Sequence, residues 1–343
     1  MKKIISAITC CLTACCLFAA TSHRYISENN NDEVADTAKA DSTISFVAYF
    51  AKGDTCDYNI TESKWKVNGA DTTMTTCITT KVRLVVTDST STGYRMSYTF
   101  TDVKNDTIED SYANDLLSRV TDKLRKNVVG TTIVFDTDEM GAITKVHNLA
   151  EIKKKAKALY KEGMKEITET PEIKALKGYG IDLAKIARNV DTDELVEGYI
   201  EELKLLFMCH GKSYTIGETH EHEDATKNDL ESDTYTNVFS DYDNNMYGLD
   251  MEVVCTVPQS EMKELYGGII NELTKDTKMT DELGKEIDSQ IKEDGSVSDR
   301  YAIRCFINGW PCEVVKQRTA KMGGTERLSQ THIGACYFGN GEE

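Results

Sequence analysis

The densest cluster of side chains able to do chemistry is His220-Glu221-His222-Glu223-Asp224, with Glu218 just before it. In an extended chain successive side chains alternate in direction, so Glu218, His220, His222 and Asp224 share one face. Two imidazoles and carboxylates form a donor set for Zn²⁺ or another divalent ion. A solvated acidic strand end has the same composition, and His-x-His is common without metal. The expectation is therefore no metal and no cofactor, with His220, His222 and Asp224 as weak candidate ligands. A divalent-metal-dependent hydrolase built on them is the third functional reading.

Other reactive residues carry less. Cys209-His210 has the right types for a nucleophile and its base, but adjacent residues on a helix or strand do not face each other. His147 and His332 stand alone and read as structural. Asp241-Tyr242-Asp243-Asn244-Asn245 has the start of a calcium loop but lacks the glycine and the terminal glutamate, so it reads as a hairpin turn. Nucleophile-elbow, zinc-protease and phosphate-loop patterns are absent, and no enzymatic activity is expected.

Cysteines divide into two groups. Cys10, Cys11, Cys15 and Cys16 crowd the N-terminus; Cys56, Cys77, Cys209, Cys255, Cys305, Cys312 and Cys336 belong to the body. Asn308-Gly309 between two strand-like runs is a strong hairpin signal, because both positions tolerate positive φ. A two-residue loop there sets Ile307 opposite Trp310, Phe306 opposite Pro311 and Cys305 opposite Cys312. Opposed Cα atoms at about 5.5 Å are within disulfide range, so a Cys305–Cys312 bridge is expected, with two unpaired buried thiols as the alternative.

The N-terminus has the form of an export signal. Lys2 and Lys3 precede an uncharged, mostly apolar run from Ile4 to Ala20, which is followed by polar and acidic residues. Two ends to the signal stay open. Leu12-Thr13-Ala14-Cys15 resembles a lipobox, which would lipidate Cys15 and make residues 1–14 the leader. Ordinary cleavage after Ser22 would remove residues 1–22. Residues 23–42 then read as a flexible acidic tether. The expected place is the periplasm, outer membrane or cell surface of a bacterium, with membrane contact only through an N-terminal lipid. Asp+Glu 57 against Lys+Arg 40 gives a net charge of −17, which argues against nucleic acid as a partner.

The elements that would position these residues are mostly strands. Phe46 to Phe50, Val82 to Val86 and Tyr94 to Phe100 read as strands, and Tyr94, Met96, Tyr98 and Phe100 share one face. Thr131 to Phe135 and Ala142 to Val146 flank a polar turn. A helix follows with Ile152, Ala156, Leu159, Tyr160 and Ile167 on one side. Leu116 to Leu124, the stretch after Pro171 and the stretch after Asp191 also read as helices. The second half repeats the order: strands at 212–218, 235–239 and 249–256, then helices at Val257-Pro258 and at 283–291. The hairpin and a strand near 331–338 close the chain. The expected fold class is α+β, a curved antiparallel β-sheet packed on amphipathic helices, in two related halves at 43–207 and 208–343.

Two segments carry a resemblance. Leu117–Lys155, containing VVGTTIVFDTDEMGAITKVHNLAEIKKK, and the segment LFMCHGKSYTIGET resemble an uncharacterised family of exported bacterial envelope proteins. In that family a Gly, a strand, a Gly turn, a second strand and an Asn-x-x-Glu helix start follow one another. The second segment departs from the pattern at Gly217-Glu218-Thr219-His220, which lacks the family's Trp and Pro. In overall shape the expected fold is similar to periplasmic lipoprotein-carrier half-barrels. That likeness implies a protein that binds an apolar molecule such as a lipid or acyl chain, in a cleft between Tyr94, Met96, Tyr98 and Phe100 of the sheet and Leu159, Tyr160, Tyr199 and Leu203 of the helices. The same residues also make a filled core, which leaves a structural or interaction module of the cell envelope as the alternative.

Overall fold

The computed structural model describes residues 43–68, 71–106, 128–169, 200–226, 230–273, 284–285, 287–289, 291–322 and 325–339. Its strands are β1 (Thr43–Ser45), β2 (Thr55–Asn68), β3 (Asp71–Thr90), β4 (Gly93–Asn105), β5 (Thr132–Thr137), β6 (Ile143–Val146), β7 (Ser213–Thr215), β8 (Gly217–Glu223), β9 (Ser232–Asp241), β10 (Met246–Val257), β11 (Gly295–Phe306), β12 (Pro311–Met322) and β13 (Thr325–Gly339). The main helices are α1 (Leu149–Glu169), α2 (residues 200–206) and α3 (Gln259–Leu273). No helix among the described residues is long and apolar enough to cross a membrane.

Eleven strands form one antiparallel sheet in the order β6-β5-β4-β3-β2-β13-β12-β11-β10-β9-β8, and β1 pairs with β7 apart from it. Thr, Val, Ile and Tyr recur along the long strands, and such side chains suit a pleated surface. The expected curvature is not there: the sheet is uncurled, with β6 and β8 as open edges. Closing a sheet requires its two edges to pair in a fixed stagger. Here β6 has only 4 residues, and β8 presents exposed charged side chains. Short and charged edges both resist further pairing.

Alternation gives the sheet two unlike faces. One face carries Tyr58, Ile60, Val82, Leu84, Met96, Tyr98, Phe135, Leu249, Ile303 and Val314, all buried in a single apolar cluster. Ile152 and Ala156 of α1 and Ile200, Leu203 and Leu206 of α2 belong to the same cluster. A second cluster joins Met262 of α3 to Val257, Val297 and Ala320 at the other end of the strands. Beside it, Asp299 and Arg318 make a two-pronged ion pair with both contacts at 2.6 Å. The opposite face is a ladder of cross-strand ion pairs, among them Arg83–Asp57 and Arg95–Asp136. The Arg95 guanidinium, with His147 behind it, holds the Asp136 carboxyl down at about 2.

Phe46 to Phe50 is extended but belongs to no ladder. Its backbone bonds to three separate places: Lys212, Met140 and Asn308. Phe46, Ala48 and Phe50 alternate into the core, so the period-2 pattern is present while the pairing is not. The Asn-Gly hairpin forms with β11 and β12 on either side. Arg304 faces Glu313, as the expected register requires, but a bulge then pairs Cys305 with Pro311. The disulfide is therefore absent, and both thiols are free. Cys305 is fully buried with Tyr247 in the core. Cys312 turns instead toward the Met246 sulfur at 3.5 Å. The helices expected at 116–124 and after Pro171 lie outside the described residues, as does Cys15.

Candidate binding site on the uncovered face

Strands β8 to β12 lie side by side, so their outward side chains form cross-strand rows. One row runs Glu218, Asn237, Asp250, Ala302 and Val315, each the direct partner of the next. The next row runs His220, Tyr235, Glu252, Arg300 and Gln317 in the same way. These two rows line a trough of about 640 Å³. Ala302 and Val315, the small members, give it an apolar floor. Met251 and Tyr301 also border it, but they pack against the apolar cluster of the other face.

Fixed contacts define the trough from end to end. At one end the Arg304 guanidinium lies 4.6 Å from the centre of the Phe239 ring and reaches Asp250 at 2.8 Å. Gly248 makes this stacking possible, since a Cβ there would meet Arg304 Cδ and Phe239 Cζ at 2.9 Å each. In the middle, Arg300 Nε donates to Glu252 Oε1 at 2.9 Å, and the Ser298 hydroxyl donates to the same oxygen at 2.8 Å. The Arg300 bond is the main reason that the Glu252 carboxyl stays below its ordinary range. At the other end His220 stacks on Tyr235 with ring centres 4.6 Å apart and planes at 10°. Tyr235 is still 48% exposed, so much of its surface away from His220 meets solvent.

The predicted residues divide between the two faces. His220 and His222 do point to one side of β8, and the next strand adds a partner. Asp233 Oδ1 accepts from His220 Nε2 at 2.9 Å and from His222 Nδ1 at 3.0 Å. The two imidazoles hold Asp233 below the usual carboxyl range, and Asp233 is the main cause of a raised His222. Asp224 lies past the strand end, 98% exposed and 3.4 Å from His222. Among the described residues no group of three or more His, Cys, Asp and Glu is arranged to hold a metal ion. Sequence reasoning missed Asp233, Tyr235, Glu252 and Arg300. An alternation count over 232–241, 246–257 and 295–306 would have put them on the outward face, but strand order was needed to bring them together.

On the covered face, Met96, Tyr98, Phe100 and Leu203 are buried in one cluster. Tyr94 packs against that cluster, with its hydroxyl donating to the Ala48 carbonyl at 3.0 Å. Tyr160 is half-buried on α1. Tyr199 and the Leu159 side chain lie outside what is described. Cys209 and His210 do not act on each other: the Tyr214 hydroxyl donates to Cys209 Sγ at 3.9 Å, and His210 bonds the Gly309 carbonyl. His147 and His332 are bonded to Asp136 and Glu313.

No protein-family model matches the chain, and no curated protein does. The resemblance to exported envelope proteins therefore stays with the two segments that carry it. Among solved structures the chain is similar to one described as lipid–protein interactions in lipovitellin, with a TM-score of 0.38 and 9% identity. That match covers 86% of this chain and 26% of the other, so the chain spans about a quarter of the lipovitellin chain. It is also similar to a porin-like protein from Bacteroides uniformis, with a TM-score of 0.16 and 10% identity over 82% of this chain and 95% of that one. At such scores neither likeness bears on function.

Proposed function

We propose that the chain is an exported, non-enzymatic binding protein of the bacterial cell envelope, which takes its ligand on the uncovered face of the sheet. The observation that carries this reading is the trough. Concave, partly apolar sites with a few oriented polar groups are where ligands bind, and a volume of about 640 Å³ falls in the usual range for them. The trough carboxylates Glu252 and Asp250 are locked by Arg300 and Arg304, which suits recognition. The Arg300 pair also holds Glu252 below its ordinary range, away from the pKa near neutrality that a general acid or base needs. Export rests on Lys2, Lys3 and the apolar run to Ala20, with Cys15 as the residue that a lipid anchor would use.

A second reading is an apolar ligand, such as a lipid or acyl chain, held between the helices and the covered face. One observation favours it: the Tyr98 hydroxyl is buried with no hydrogen-bond partner. A buried donor of this kind asks for an explanation, and a ligand oxygen would supply one. Native mass spectrometry without detergent, on protein released from the envelope with its own signal, separates the two. The trough reading expects a hydrophilic mass that dialysis removes. A solvent-extractable lipid would shift the assignment to the covered face, and a clean apo mass would leave a filled-core interaction module.

A further inference from the structure

We infer that the trough binds a neutral oligosaccharide. The inference rests on the reading of the trough as the binding site and names its ligand class. A sugar ring has an apolar C–H face and an edge of hydroxyls, each of which both donates and accepts. The trough offers the complement of both. Tyr235, backed on one side by His220, is an exposed aromatic platform. Ala302 and Val315 extend the apolar surface along the floor. Asn237 and Gln317 present amides that donate and accept together, one in each row. Glu252 and Asp250 are already held by Arg300 and Arg304, so they can accept hydroxyl protons without being reoriented.

Charge decides between sugar classes. Three carboxylates, Glu218, Asp250 and Glu252, stand in the lining against Arg300, with Arg304 at the end. Each arginine is spoken for by a carboxylate of the site. Among the described residues of the trough both arginines already face a carboxylate, and Glu218 would repel a phosphate, a uronate or a lipid headgroup phosphate. A cationic ligand would find, among the described lining, one carboxylate outside these pairs, Glu218. A neutral polyol needs no counter-charge and uses every group present. Five strands spaced about 4.8 Å apart set the outer two about 19 Å apart, a length of roughly four hexose units.

Isothermal titration of the full chain with cellotetraose, maltotetraose, mannotetraose and xylotetraose tests the inference, with an oligogalacturonate of equal length as the acidic control. The expected result is binding of at least one neutral tetrasaccharide, weaker or absent binding of the acidic one, and about a tenfold loss in Tyr235→Ala. Ala302→Trp, which fills the floor, should abolish binding, and both variants should keep the wild-type melting temperature. Preference for the acidic oligomer, or sugar binding that neither variant weakens, overturns the inference. If no sugar binds but Ala302→Trp expels some other ligand carried from the envelope, the sugar class is wrong and the trough reading stands. If no sugar binds and Ala302→Trp expels nothing, both fail.

Discussion

His210 shows what a single side chain does for this fold. Its Nε2 is 2.9 Å from the Gly309 carbonyl, which can only accept, so that nitrogen carries the proton. Nδ1 is buried without a partner. Burial pushes the imidazole down to about 4. An unfolded histidine titrates near 6.5, so between pH 6.5 and 4 the unfolded chain takes up a proton that the folded chain refuses. Stability from this group is therefore complete above pH 6.5, falls as pH drops toward 4, and changes no further below that. The loss amounts to about 3 kcal/mol. His210→Gln, which keeps a donor but does not titrate, should flatten this part of the curve in urea melts at pH 7 and pH 4.5. An unchanged slope would mean that His210 is accessible to protons in the fold. Across the bond, Gly309 has φ of +83°, and a Cβ there would sit 2.1 Å from the Val47 carbonyl oxygen. Gly309→Ala should cost about 2–3 kcal/mol, read from the urea midpoint. The Asn308-Gly309 turn was legible because its conformational demand is local. The bulge that displaces Cys312 was not legible; next to it Trp310 is buried against Phe50, far away in sequence, at 4.4 Å between ring centres.

Among the elements, alternation was legible wherever one face is apolar. Tyr94, Met96, Tyr98 and Phe100 are such a case, and they line up on the covered face. Length was not legible. The strand read at 82–86 runs from Asp71 to Thr90, because its first half alternates between polar residues and gives no hydrophobic signal. The strand at Thr55–Asn68 was overlooked although Cys56, Tyr58 and Ile60 alternate into the core. Asn148 illustrates a different limit. It precedes α1 as expected for a helix start, yet its side chain bonds Val134 and Thr132 of β5 and so ties helix to sheet. Pairs across strands differ sharply by face. Asp299 and Arg318 have side chains only 10% and 11% exposed, whereas those of Asp57 and Arg83 are 29% and 54% exposed. Removing one partner of a buried pair costs about 3–5 kcal/mol, while an exposed pair is worth about 0–1 kcal/mol. Asp299→Ala should thus destabilise several-fold more than Asp57→Ala in urea melts. Equal effects would show that water reaches Arg318.

At the scale of the whole molecule, the described residues form one broad sheet with a covered side and an open side. β13 pairs with β2 along its length, so strands from both parts of the chain continue one another. The α+β mixture and the antiparallel pairing were readable from hairpin-linked strands. The half-barrel shape was not, because curvature depends on how edges meet, and the edges here are short or charged. The trough escaped sequence reasoning for a related reason: its ten outward residues come from five strands and are neighbours only through sheet order. The described part of the apolar face holds packed rings such as Phe50, Phe135 and Phe207, and the trough lies on the other side.

The most direct test of the central claim, that the trough is where this protein binds, compares wild type with Ala302→Trp by native mass spectrometry after release from the envelope. Ala302 is on the uncovered face, so the change fills the trough without entering the core. The account predicts a retained hydrophilic ligand on the wild type and none on the variant, with equal melting temperatures. The same ligand at the same occupancy on both chains would contradict it.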